Sequence, residues 1–425
     1  MKEKTKKLKP QVYAAEKKKS CKGLIILSSF IAFFAALLTA LILLRKSDVF
    51  TEFMVTRVSR GILMIMGKTS SALPFSAYEL FLYLIGAAII SCLTVITVLL
   101  LKKRWAKSLS LVLAVILTAL VFANIYFVSA GYSYNRYEEY HPVLNPELSK
   151  AQTVAVAEYF IDDFNTLAKS FVRDEKGTII PPYDNVELSY RLQQEFFRLS
   201  GFDINPYTPR CKTIVSSRIM SEMHIRGVFF APFGEPNVNS LVPPAEMPFT
   251  MAHEMAHAKG IMREDDADNT ALYVTLTSDD PYIRYSAYNE YIFSMLSAVL
   301  KWDNIEKAKG EDMAYWKLRD KISPLITREW QNSVDHWSRY YRLSSFLRKI
   351  NDFYLKLMGQ GEGVNAYIPP ATGEESKTVT DPGGNPVTDP GGKPVTVTVP
   401  KYNSPQQIFF QAYVESRGSL PQKAE

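Results

Sequence analysis

The chain has 425 residues, 47% of them hydrophobic and 22% charged, with a formal net charge of +6. That length suffices for two or three structural units with a sizeable core. Nine lysines lie before residue 23, which fits a basic tail at a membrane surface. With no arginine-rich stripe and no phosphate-cradling glycine loop, a nucleic-acid-binding face is excluded.

Residues 1–22 are polar and lysine-rich and read as a disordered cytoplasmic tail. Leu24 to Leu44 is a run of 21 residues without a charge, long enough to span a bilayer. Its end, Ala40-Leu-Ile-Leu-Leu-Arg45, offers no small-residue cleavage site, so an uncleaved anchor is expected. Residues 45–79 connect to the next span, and Phe53 to Gly67 mixes apolar residues with Arg57 and Arg60 as an amphipathic helix would. Residues 80–101 and 109–130 make the second and third spans, so residues 23–130 form a three-span membrane domain. Four basic residues, Lys102, Lys103, Arg104 and Lys107, crowd the turn between them, against five in the 45–79 segment. The positive-inside bias therefore places the N-terminus and this turn in the cytoplasm, and everything after residue 130 outside.

A soluble domain is expected over residues 131–370, entered through the tyrosine-rich collar 131–140. Leu148 to Phe171 and Val186 to Leu199 carry helical periodicity, with a Gly/Pro loop between them. Thr213-Ile-Val-Ser-Ser and Ile225 to Ala231 are β-rich, and Pro236 to Ala245 reads as a loop with three prolines. Helices are expected from Pro248 to Gly260, over 264–276, 281–300, 304–320 and 323–357, and a short terminal one over 406–415. An eight-residue unit, Val379 to Pro386, is repeated as Val387 to Pro394, which marks 371–400 as a surface insertion ahead of a C-terminal segment 401–425. Of Cys21, Cys92 and Cys211, only the last lies in the soluble part, so neither a disulfide framework nor a cysteine zinc site is available there.

The chemistry concentrates in Phe249 to Asp268, which contains His253-Glu254-x-x-His257. On a helix the two histidines share a face and can grip one ion, while Glu254 sits about 100° round and can reach a water. A catalytic zinc takes three protein ligands and keeps one position open. The third must come from further along, and the acidic cluster Glu264, Asp265, Asp266 and Asp268 supplies the candidates. After a turn at Gly260, Glu264 opens the next helix and can point back, and Asp268 can hold a ligand histidine through its other ring nitrogen. With Glu254 as general base, these roles add up to peptide-bond hydrolysis. His224, His336, Tyr282, Tyr285 and Tyr288 are further candidates for stabilising an oxyanion, although packing explains each of them as well.

The His253-Glu254-x-x-His257 helix followed by Glu264-Asp-Asp-Ala267-Asp268 resembles the zincin metallopeptidases of gluzincin type. The layout as a whole, including Gly227-Val-Phe-Phe-Ala-Pro-Phe and Leu241 to Glu264, resembles a bacterial three-span membrane family of unknown function with an HExxH ectodomain. Two departures stand out. Glu264 follows His257 by only seven residues, where gluzincins leave a longer gap, and Arg263 stands where metzincins place a third histidine. The resemblance implies three N-terminal transmembrane helices and a mainly α (α+β) zincin-like domain with a small sheet. It implies one Zn²⁺ per chain held by His253, His257 and Glu264, Asp268 behind them, and Glu254 as the catalytic base. In zincins an edge strand upstream of the helix pairs with an extended peptide or protein substrate; Ile225 to Ala231, with Gly227, Val228, Phe229, Phe230 and Ala231 as the contact residues, is the candidate here, and a plain core strand is the alternative. The expected protein is a cell-membrane, multi-pass metallopeptidase whose partners are its peptide substrate and the lipid. The alternative is a membrane-tethered binding or sensor protein with a structural zinc.

Overall fold

The structure is a computed structural model that describes residues 2–136, 146–199, 206–340, 349, 352–353, 356, 374–378, 385–388 and 392–422. The chain divides into two compact units, residues 1–136 with 230–235, and residues 137–229 with 236–425.

The first unit is helical. Helix α1 (Lys2–Leu44) runs unbroken from the basic segment into the first apolar run, so the expected disordered tail is helical instead. Its Ala, Glu, Lys and Gln residues are good helix formers, and a helix already nucleated downstream can extend through them. Residues 48–71 form a continuous helical stretch made of α2 (Asp48–Phe53), a π-turn over Met54–Ser59 and α3 (Arg60–Ser71). One face, Met54, Val55, Ser59, Leu63 and Gly67, is buried and the other is open, which is the amphipathic pattern. Helices α4 (Ala77–Leu101) and α5 (Trp105–Tyr126) follow, α5 continuing as a π-turn to Gly131. Lys22–Leu44, Ala77–Leu101 and Trp105–Gly131 are each long and apolar enough to cross a membrane.

Polar side chains tie these helices together. The Asn124 amide of α5 donates to the Phe34 carbonyl of α1 at 3.1 Å, and the Tyr132 hydroxyl donates to Leu41 O at 2.9 Å. The hexapeptide 230–235 belongs to this unit as well. Phe230 and Phe233 pack on Phe81, with ring centroids 5.5 Å apart in each case. Gly234 adopts φ +56°, and a Cβ there would lie 2.7 Å from the backbone nitrogen of Gly67. Glu235, fully buried, accepts the Ala77 amide with both carboxylate oxygens, at 3.1 and 3.0 Å. A carboxylate at the start of α4 meets orphan amides and the positive end of the helix dipole.

The second unit is a helical domain with a small sheet. Helices α6 (Lys150–Ser170) and α7 (Asn185–Phe197) form where the periodicity predicts them, started by a Ser149–Gln152 capping box and by Asp184. Strand β1 (Lys212–Ile214) is followed by α8 (Ser217–Glu222), β2 (Gly227–Phe230) and β3 (Glu235–Asn239), in sheet order β1-β3-β2. The central strand β3 thus lies in what the prolines suggested was a loop. Pro236 is tolerated because pairing with β1 begins only at Asn237, opposite Lys212, so no amide is missed there. The strand expected over 225–231 is shorter, and Ala231 belongs to a 3₁₀ tip, Ala231–Phe233. Helices α9 (Met247–Ala258), α10 (Glu264–Leu276), α11 (Pro281–Ile305), α12 (Ala314–Lys321) and α13 (Pro324–Trp337) follow.

Strands β4 (Glu374–Thr378) and β5 (Thr396–Pro400) pair antiparallel and bracket the repeat, most of which lies outside the described residues, as do 137–140 of the collar and most of the helix expected beyond 340. Helix α14 (Ser404–Arg417) places Ile408, Phe409 and Phe410 in the core beside Phe160, Leu272 and Tyr288. The tyrosine face of α11 is packing. Tyr282 donates to Pro244 O at 2.7 Å, Tyr285 to Glu329 at 2.7 Å and Tyr288 to Asp163 at 2.6 Å.

Candidate metal centre

Helix α9 enters through Pro248 in its first turn, where the missing amide costs nothing, and its inner face is core: Met251, Ala252, Met255 and Ala256 are all fully buried. The chain reverses at Gly260, φ +100°, a left-handed conformation that a side chain would strain. Four residues later α10 begins at Glu264, and the two helices pack against each other so that the first turn of α10 faces the last turns of α9.

This packing brings His253, His257 and Glu264 together, with one ligand atom from each lying within 4.8 Å of the others. Glu264 Oε2 is 3.3 Å from His253 Nε2 and 3.5 Å from His257 Nε2. The far sides of both rings are occupied. His253 Nδ1 donates to Asp268 Oδ1 at 2.8 Å, and His257 Nδ1 donates to the Ile261 carbonyl at 2.7 Å. With its proton on Nδ1, the neutral form of each ring turns an Nε2 lone pair toward the carboxylate, and this is the form in which three acceptor atoms converge. The other acids of the cluster are turned elsewhere. Arg263 donates to Asp265 Oδ2 at 2.8 Å and pairs with Asp266 Oδ2 at 3.3 Å. Arg263 itself therefore faces its own helix's acids.

Glu254 lies beside this cluster, 5% exposed. Burial pushes its pKa up to about 7, with the two histidines pulling the other way and Glu264 and Asp268 adding to the rise. Strand β2 passes directly over it. A Cβ on Gly227 would lie 2.4 Å from Glu254 Oε1, so only glycine lets the strand approach so closely. Strand β2 is at the edge of its sheet, and the Phe229 ring sits 6.3 Å from that of His257. Phe230 and Ala231, by contrast, group with the first unit.

The carboxylates around the cluster favour positive charge on it. Burial opposes a charged His253, yet Asp268, Glu264 and Glu254 raise its pKa well above the ordinary value. Burial also opposes a charged Glu264, yet His257 and His253 hold its pKa well below the usual carboxylate range. The ligand spacing fits zinc as well. Tetrahedral zinc with bonds of about 2.0–2.1 Å separates its ligand atoms by about 3.3 Å, close to the 3.3 and 3.5 Å of the two pairs that include Glu264, within a set that spans at most 4.8 Å. His224 and His336 are not in this cluster. His224 lies 6.0 Å from the Trp337 ring, and His336, its pKa lowered by burial, packs beside the same tryptophan.

Sequence reasoning passed over Tyr291, half-buried and hydrogen-bonded to Asp268, and the Ile261 carbonyl. The tyrosine was hidden among several on α11, and a backbone acceptor leaves no signature in residue type.

The fold and this cluster define a helical protein with three potential membrane helices and a buried two-histidine, one-carboxylate centre. The chain belongs to the family described as "Protein of unknown function (DUF3810)", which matches residues 55–368 and so takes in the second and third apolar helices and the whole cluster. No curated protein and no solved structure matches it.

Proposed function

We propose that the protein is a membrane-anchored, zinc-dependent metallopeptidase with an extracytoplasmic, zincin-like catalytic domain. The observation that carries this reading is the convergence of His253 Nε2, His257 Nε2 and Glu264 Oε2, three acceptors within bonding range of one ion, with both Nδ1 atoms already engaged. Zinc held there would supply Lewis acidity toward a water and a peptide carbonyl. Glu254 takes the proton of the attacking water and passes it to the leaving amine. Asp268 and the Ile261 carbonyl keep both imidazoles in the tautomer and orientation that bind metal. The outer edge of β2, unpaired among the described residues, holds an extended peptide, and Gly227 lets that peptide lie against Glu254. The lysine-rich N-terminal segment and the basic turn after α4 support an N-terminus in the cytoplasm and a catalytic domain outside.

Purified full-length protein is expected to hold one zinc per chain and to cleave members of an unbiased peptide library. Glu254→Gln is expected to keep the zinc and lose cleavage by about 10²–10⁴-fold. Zinc-free protein, or full activity in Glu254→Gln, would refute the proposal. A fourth protein ligand seen by X-ray absorption would instead make the chain a tethered binding protein with a structural zinc.

A further inference from the structure

The second unit also contains a cleft of about 460 Å³ lined by Arg226, Glu246, Glu290, Phe293, Trp330 and Trp337. Its walls are of two kinds. Three aromatic side chains form an apolar surface, and three charged side chains form a linked group. Arg226 grips Glu290 with both terminal nitrogens, at 2.7 and 3.1 Å, and reaches Glu246 at 3.3 Å. Trp337 Nε1 donates to Glu246 at 3.1 Å. Two glutamates face one arginine, with His224 also on the wall; burial raises the Glu246 pKa against the pull of Arg226, and no lysine or second arginine lines the cleft among the described residues. Glu290 keeps 21% of its side chain exposed, and a carboxylate has about four acceptor positions, of which the arginine fork takes two. The cleft can therefore take a further donor.

Its position relative to the cluster follows from chain connectivity. Arg226 immediately precedes Gly227, the residue that lies on Glu254. Glu246 directly precedes α9, two helical turns ahead of His253. Residues of an extended peptide are spaced by about 3.3 Å, so a peptide on β2 whose scissile bond reaches Glu254 offers a nearby residue to the cleft.

We propose that this cleft is a specificity subsite for a cationic nitrogen carried by an extended peptide, the stem lying against Phe293, Trp330 and Trp337 and the charge meeting Glu290 and Glu246. Aromatic faces attract cations and cover aliphatic stems, and the carboxylates accept the N–H donors. A lysine or arginine side chain and a free amino terminus share this chemistry. The subsite rests on the peptidase reading above, but its charge preference can be measured without turnover.

The test uses the full chain in detergent micelles carrying Glu254→Gln, titrated calorimetrically with blocked pentapeptides that contain one lysine, leucine or glutamate. An unblocked leucine peptide is titrated alongside. The lysine peptide is expected to bind about tenfold tighter than the leucine peptide, and the glutamate peptide weakest. Tighter binding of the unblocked leucine peptide as well assigns the cation to the amino terminus, and its absence assigns it to the side chain. Val334, 62% exposed and also lining the cleft, tests the location without disturbing the core. Val334→Lys should erase the lysine-over-leucine ratio and Val334→Glu should enlarge it. Equal binding of all three peptides, a preference for glutamate, or a ratio unmoved in Val334→Lys overturns the subsite. Charge-selective binding by a protein that cleaves nothing would refute the peptidase and keep the cleft, whereas cleavage without charge selectivity would do the reverse.

Discussion

Two buried polar groups in the second unit look alike in composition and behave differently. Around Glu329, Oε2 accepts from Arg173 at 2.8 Å and from Tyr285 at 2.7 Å, while Oε1 accepts the Ile179 amide at 3.0 Å. Donors point at acceptors, and both oxygens are answered within the fold. Around Glu264 each imidazole turns Nδ1 outward, to Asp268 and Ile261 O, and Nε2 inward toward the carboxylate. The first group is closed and holds α11, α13 and the 173–179 turn together. The second gathers a carboxylate oxygen and two imidazole nitrogens at its centre, a set that a proton or a metal ion can join. Burial raises the stakes for both, because an unanswered charge or lone pair is costly away from water.

The comparison can be broken by substitutions on either side. The largest effect is expected for His253→Ala, which should remove zinc altogether, as read by elemental analysis of the purified protein; retention of one zinc per chain would contradict the ligand set. Glu329→Ala should leave zinc content unchanged but cost about 3–5 kcal/mol of stability, because Arg173 is left buried without its partner. A thermal midpoint equal to the wild type would show that the Glu329 group is not structural. Asp268→Asn keeps the shape while weakening the hold on the His253 ring, so zinc affinity should fall about 10–100-fold in a competition titration. Gly227→Ala should have the smallest effect on stability, about 1–3 kcal/mol from overpacking against Glu254. Peptide cleavage should nonetheless drop with zinc retained, and unaltered cleavage would remove β2 from the substrate path.

Much of the centre was legible because it is local. The four-residue spacing of His253 and His257, the proline entry at Pro248 and the glycine exit at Gly260 all act within one helix and its turn, and periodicity reports such features directly. The three apolar runs were equally plain, since a bilayer demands an uninterrupted length of apolar residues. Misreadings came where pairing is remote. Strand β3 carries Pro236 and three asparagine or glutamate residues, and only its partners β1 and β2 make it a strand. Glu235 carries no local signature of its role, because its partner, the Ala77 amide, lies 158 positions away.

By itself the amino-acid sequence determined the three apolar runs, most of the helices and the four-residue histidine spacing, all of which depend on residue type at short separations. Only the tertiary structure decided which acid faces both histidines, that glycine alone fits over Glu254, and that Arg226, Glu246, Glu290, Trp330 and Trp337 share one cleft. Those facts depend on distances between residues far apart in the chain. Such distances are set by how α9, α10, α11 and α13 pack, and no local pattern encodes them.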